Sequence, residues 1–148
     1  MGPFFGTIDT AIMGRKTYEA GLKMGGKGSF AAYAMTFYVM SRSQPPGKRD
    51  SVIFTNQSPT VLLADIRKRR GKNIWLMGGG ELARDFLIAD LVDELYLGVV
   101  PVLLGEGLPL FPSGFPQREF ELLENKTFSK GLIALKYKRF HAKRKREH

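Results

Sequence analysis

The chain contains no cysteine, which removes a disulfide framework, a thiolate metal site and a cysteine nucleophile together. Histidine is nearly as scarce. The two present, His141 and His148, both lie in a charged C-terminal stretch, so a histidine metal cluster or a Ser-His-Asp relay has nothing to draw on in the body of the chain. No apolar run approaches the roughly 20 residues that a membrane span needs. Met1 to Thr10 lacks the basic start and apolar stretch of a secretory signal. Gly6 stands where an N-myristoylation motif requires Ser or Thr. A cytoplasmic chain with no membrane or metal partner is expected, and any difficult chemistry would come from a bound organic cofactor.

What is present fits one globular domain. The 148 residues are 43% hydrophobic, enough to bury a core without staples. The formal net charge is +9, and much of the excess lies in Lys136, Lys138, Arg139, Lys143, Arg144, Lys145 and Arg146. With no Phe, Tyr or Trp in residues 141–148 to extend a stacking platform along it, this reads as a solvated terminus and not a nucleic-acid patch. A single domain over residues 1–140 with a basic tail over 141–148 is the expected organisation.

The element pattern is α/β. Thr10 to Met13 and Thr36 to Met40 are apolar runs that read as buried strands. Between them, Thr17 to Lys23 forms a short helix, followed by the glycine-rich loop Met24 to Gly28. Gln44 to Arg49 reads as a loop leading to a third strand, Val52 to Phe54. Ser58-Pro59 gives an N-cap with proline at the first helical position, and Leu62, Leu63 and Ile66 supply that helix with an apolar face. Ile74 to Met77 is an unbroken apolar strand. Gly78-Gly79-Gly80 then opens a helix whose Leu82, Ala83, Phe86 and Leu87 face the core, and Leu95 to Val100 is the next strand. This alternation predicts a mostly parallel central sheet covered by helices. Phe120 to Leu123 and Leu132 to Phe140, joined through Ser129-Lys130-Gly131, predict a C-terminal antiparallel hairpin.

Three loops each follow a strand, and strand ends along one edge of an open α/β sheet form its ligand crevice. In the first, Gly14-Arg15-Lys16-Thr17, a glycine and two cations precede a helix N-terminus, whose free amides favour an anion. These residues would equally serve an ordinary strand-to-helix turn. The second, Ser41-Arg42-Ser43, offers hydroxyls and a guanidinium suited to a phosphate monoester, or simply a solvated loop. The third, Gly78-Gly79-Gly80-Glu81-Leu82, has three missing side chains, which lets a pyrophosphate approach backbone amides.

In that order, each after a strand, these loops resemble the cofactor loops of the dihydrofolate reductase-like superfamily. Leu91 to Leu97 and Pro101 to Phe111 resemble its riboflavin-biosynthesis reductase branch, the RibD C-terminal domain type. The resemblance implies an NADPH-dependent oxidoreductase passing hydride to a small heterocyclic, pterin- or pyrimidine-like substrate. It implies that Gly14, Arg15, Lys16 and Thr17 hold the pyrophosphate and part of the adenosine 2′-phosphate, and that Arg42, with Ser41 and Ser43, clamps that 2′-phosphate. Gly78, Gly79, Gly80, Glu81 and Leu82 complete the cofactor site. The turn Leu104-Gly105 would lie near the substrate or shape a loop over the sheet.

Family members carry a further strand upstream of the one that Thr10 to Met13 resembles, and little chain precedes it here. That segment is expected to be missing, so no catalytic acid transfers onto the sequence. Asp9, the nearest carboxylate, reads as a strand-edge cap. The alternative function is a nucleotide-binding relic without turnover. The strands at Thr10–Met13 and Ile74–Met77 would flank the vacancy, and are expected either to pair directly, shrinking the substrate crevice, or to be bridged by another copy of the chain. A homodimer is expected.

Overall fold

The computed structural model describes residues 7–25, 35–49, 51–69, 71–107 and 110–140. In chain order the elements are β1 (Ile8–Gly14), α1 (Arg15–Gly25), β2 (Thr36–Met40), β3 (Gly47–Arg49), β4 (Val52–Thr55), α2 (Pro59–Arg67), β5 (Asn73–Gly78), α3 (Gly80–Ile88), β6 (Glu94–Val99), β7 (Phe120–Thr127) and β8 (Ile133–Arg139). The expected α/β architecture holds, with a mostly parallel sheet, flanking helices and a C-terminal antiparallel hairpin. Gly26 to Gly28 of the glycine-rich loop, the residues before Thr7 and the tail at 141–148 lie outside the described residues.

Five strands form one sheet in the order β3-β4-β2-β1-β5, and three form another in the order β6-β8-β7. In the first, β1, β2, β4 and β5 run parallel, and β3 closes one edge antiparallel to β4. Strand alternation sends the side chains of β1 to both faces. Ala11 and Met13 pack with Tyr18 of α1, Phe37, Val39 and Phe54. Ile12 packs on the other face with Tyr38, Leu62, Leu63 and Ile66 of α2, and Phe86 of α3. The Ser58 hydroxyl accepts from Val61 N at 3.3 Å and Pro59 starts α2, as the N-cap pattern requires.

Of the two arrangements foreseen for the strands at Thr10–Met13 and Ile74–Met77, direct pairing is the one found: β1 and β5 are parallel neighbours, with Ala11 opposite Trp75 and Ile12 opposite Leu76. Two other expectations are corrected. The end of the Gln44–Arg49 loop is a strand, because Gly47 to Arg49 can complete the ladder of β4. β6 leaves the parallel pattern and pairs antiparallel with β8, so the hairpin is joined by β6 in a separate sheet. The apolar strand at Ile74–Met77 is half-buried, since β5 ends its sheet.

Salt-bridged arginines tie the second sheet to α3. Arg139 donates to the Asp90 carbonyl and, from Nη2, to Asp93 Oδ1 at 2.9 Å. Arg118 donates to the carbonyls of Leu87 and Ile88 at 3.1 Å each. These guanidiniums satisfy carbonyls at the helix C-terminus that the helix itself leaves open.

Candidate cofactor-binding site

Register places the three loops side by side. Met13 lies opposite Gly78, and Gly14 lies opposite Met40, so the ends of β5, β1 and β2 form one continuous edge. From it spring α1 at Arg15, α3 at Gly80, and the turn beginning at Ser41. α1 carries no acidic residue in its first turn. Gly79, the N-cap of α3, makes no side-chain capping bond. Two helix N-termini thus meet at one edge with free amides, the arrangement that favours an anion.

The first and third loops lie close together. A Cβ on Gly79 would come 3.8 Å from Thr17 Oγ1 and meet nothing else within 4 Å; one on Gly14 would meet nothing at all within 4 Å. Neither glycine has the left-handed backbone that would demand glycine. The fold itself requires no glycine at either position, and the space left there suits a ligand held close to the backbone. Gly80 differs, because its Cβ would come within 3.1 Å of Pro112 Cδ and 3.3 Å of the Leu110 carbonyl. Gly80 therefore admits the 110–112 segment against α3, a contact that no sequence signal announced. Arg84 Nη1 donates to the Ser113 carbonyl at 3.1 Å and holds the same segment.

The second loop is built around Ser41. Its amide donates to the Thr55 carbonyl at 3.0 Å, and its hydroxyl accepts from the Ser43 and Gln44 amides at 3.3 Å each. This hydroxyl-closed turn fixes the backbone on either side of Arg42, which is exposed and forms no hydrogen bond or ion pair among the described residues. Lys16 is likewise exposed and without such a partner among them. Arg15 is engaged, its Nη1 lying 3.4 Å from Glu19 Oε2. Glu81 is exposed in the first turn of α3, while Leu82 packs against the core.

Other predicted positions lie elsewhere. Leu104 is 80% exposed, and Gly105 has a φ of +81° with nothing within 4 Å of its Cβ position, so Gly105 serves a turn in an exposed loop. Asp9 sits at the opposite end of β1, where Oδ2 accepts from Lys72 N at 2.8 Å and Oδ1 from the Thr10 hydroxyl at 3.0 Å. It caps the entry to β5, as expected. A cavity of about 640 Å³ opens there between Asp9, Thr36, Tyr38, Ile66 and Lys72, at the edge of the sheet away from the three loops. Among the described residues no group of acidic or histidine side chains could hold a metal ion, and no helix is long and apolar enough to cross a membrane.

The family model described as RibD C-terminal domain matches residues 7–134. Two Bacillus subtilis (strain 168) proteins are similar in sequence. YwjB, named an uncharacterized protein, is 35% identical over 129 residues, covering 87% of this chain and 73% of its own length. YyaP, named likewise, is 32% identical over 143 residues, covering 90% and 76%. Among solved structures, a putative riboflavin biosynthesis protein from Shewanella sp. PV-4 superposes with a TM-score of 0.81 at 26% identity, over 95% of this chain and 79% of that one. RibD of Acinetobacter baumannii shares the fold with a TM-score of 0.62 at 19% identity, over 88% of this chain and 47% of that one.

Proposed function

We propose that this chain, which belongs to the RibD C-terminal domain family, is a reductase that binds NADPH along the β5-β1-β2 edge and reduces a small pterin- or pyrimidine-like heterocycle. The observation that carries the reading is the pair Gly14 and Gly79. Both are free of any backbone need for glycine, both are open, and they lie at two adjacent helix N-termini beside Thr17. A cradle that a Cβ would fill fits a pyrophosphate. Lys16 and Arg42, without a hydrogen bond or ion pair among the described residues, fit the adenosine 2′-phosphate that distinguishes NADPH from NADH.

The bound cofactor would supply the hydride. The chain supplies binding and orientation. The amides opening α1 and α3 and the Thr17 hydroxyl would hold the pyrophosphate, and the Ser41 turn would present Arg42. Each well-formed charge-assisted contact is worth about 1.5–3 kcal/mol. Asp9 lies at the end of β1 away from the three loops, where its Oδ2 accepts from Lys72 N. That placement supports the second reading, a nucleotide-binding chain without turnover.

The deciding assay follows NADPH absorbance with a panel of oxidised pterins and aminopyrimidine nucleotides. Substrate-dependent oxidation by at least one is expected. Binding of NADPH without oxidation across the panel supports the non-catalytic reading, and failure to bind NADPH overturns both.

A further inference from the structure

Helix α2 covers only part of the sheet face beneath it. Ile12 of β1 is fully enclosed on that face, among Tyr38, Leu62, Leu63 and Ile66. Side chains two residues apart along a strand share a face. The preceding row, Thr36 of β2, Thr10 of β1 and Ile74 of β5, therefore lies on the same side. Ile66 is the last apolar residue of α2, which ends at Arg67, so this row falls beneath the end of the helix. The cavity of about 640 Å³ opens there, lined by Thr10, Thr36, Tyr38, Ile66 and Ile74. Its volume is within the roughly 300–1,000 Å³ that holds a small organic ligand.

Tyr38 is 6% exposed, yet its hydroxyl forms no hydrogen bond among the described residues. A buried tyrosine hydroxyl normally has a partner, because leaving it dry forfeits the bonds it makes in water. Nearby polar groups are already committed. Thr10 donates its hydroxyl to Asp9 Oδ1 at 3.0 Å, and Asp9 Oδ2 accepts from Lys72 N at 2.8 Å. The partner of Tyr38 is then whatever fills the cavity.

The cavity is also basic. Arg67, Lys68, Arg69, Arg70 and Lys72 fall within six consecutive residues, and Arg67, Arg69 and Lys72 line it. Arg67 lies 3.7 Å from Asp93, and Lys68 pairs with Asp65. The Arg69 guanidinium is exposed and forms no hydrogen bond or ion pair among the described residues. Among the described residues, the three lining cations set against Asp9 and Asp93 leave a single excess positive charge. That balance suits a monoanion better than a phosphate dianion.

We propose that this cavity is a second ligand site, for a small organic carboxylate whose apolar or aromatic body carries an oxygen at its far end. Arg69 takes the carboxylate, since a guanidinium presents two parallel N–H donors to its two oxygens. The body lies along Ile66, Ile74 and the Tyr38 ring, and the Tyr38 hydroxyl meets the far oxygen. A polyanion such as nucleic acid would engage the same cations, but it has no use for an apolar wall with one buried hydroxyl. That wall selects the small molecule. The site lies at the opposite end of β1 and β5 from the three loops, so the inference is independent of the cofactor reading.

The test is calorimetric titration of the intact chain with para-hydroxybenzoate, benzoate, phenol and inorganic phosphate, repeated on Arg69→Ala and Tyr38→Phe. The parent chain is expected to bind para-hydroxybenzoate saturably, about fivefold more tightly than benzoate, which lacks the far oxygen. Phenol, which lacks the carboxylate, is expected to bind about tenfold more weakly or worse, and phosphate more weakly than either carboxylate. Arg69→Ala is expected to weaken both carboxylates by about tenfold. Tyr38→Phe should erase the preference for para-hydroxybenzoate over benzoate and leave the thermal stability of the free chain unchanged, because its hydroxyl has no protein partner to lose. Should Tyr38→Phe not fold, the exposed Arg69→Ala decides alone. A cavity that holds only water would show no saturable binding of any probe and overturn the inference. Carboxylate affinity indifferent to Arg69→Ala, an undiminished preference in Tyr38→Phe, or phosphate bound more tightly than the carboxylates would overturn it equally.

Discussion

The five-stranded and three-stranded sheets draw on the same residue classes, and only the first is covered. In the parallel sheet Ile12, Met13 and Val39 are fully enclosed because helices lie on both faces. In the antiparallel sheet an equally apolar row, Leu95 to Tyr137 to Leu122, has no helix across it among the described residues. The first region therefore holds its own stability. The second is anchored at one end, by Arg118 and Arg139 to α3. The proposed cofactor site divides the same way, since its three loops all leave strands of the covered sheet.

The comparison breaks most readily in the two cores. Leu62→Ala, in the covered region, is expected to cost about 2–5 kcal/mol in urea unfolding. Leu122→Ala, measured at concentrations where the chain is monomeric, is expected to cost less than about 1 kcal/mol, because a half-exposed side chain forfeits little burial. Equal costs would mean that the second sheet is covered after all. Next in size, Arg139→Ala removes the tie to Asp90 and Asp93 and is expected to cost about 1–3 kcal/mol. Hydrogen exchange should quicken in β6 and β8 and stay unchanged in β1 and β2. Uniform quickening would show that the sheets unfold as one unit.

The glycines sharpen the contrast between scaffold and site. Gly14→Ala and Gly79→Ala are expected to leave thermal stability within about 0.5 kcal/mol, as compatible backbone positions allow, while weakening NADPH binding by about tenfold or more, or about 1.4 kcal/mol. Gly80→Ala should destabilise the free chain, because Pro112 and the Leu110 carbonyl stand in the way. The smallest effect is an acid one in the covered region. The hydrogen bond from Gln57 Nε2 to Asp65 Oδ2, 2.7 Å long, holds the Asp65 carboxyl below its ordinary 3.8. A lowered folded-state value contributes stability above pH 3.8 that is lost as pH falls through the folded value. Gln57→Ala should therefore remove a small contribution at neutral pH and flatten the acid limb, with the two profiles converging as pH falls below the folded value.

Much of this was legible in the chain. Short apolar runs located β1, β2 and β5, and Ser58-Pro59 fixed the start of α2, because these signals are local. The three loops were legible for the same reason. Strand neighbours were not, because pairing depends on contacts far apart in sequence. The choice of a direct β1–β5 ladder over a bridge from another copy, and the departure of β6 into a second sheet, therefore emerged only in three dimensions. β3 was missed because three residues after Pro45-Pro46 carry no periodicity. The Thr17–Gly79 contact and the closure of Pro112 over Gly80 are products of register and loop path. The exposure of Leu103 and Leu104 runs against their hydrophobicity, so composition could not announce it.

The central claim, that the β5-β1-β2 edge reads the adenosine 2′-phosphate, is tested most directly by titrating the chain and Arg42→Ala with NADPH and NADH while following nicotinamide fluorescence. The parent chain is expected to bind NADPH at least about tenfold more tightly than NADH, consistent with one or more charge-assisted contacts of about 1.5–3 kcal/mol. Arg42→Ala is expected to narrow that ratio with NADH affinity nearly unchanged. Equal affinities in the parent chain, or a ratio untouched by Arg42→Ala, would contradict the assignment.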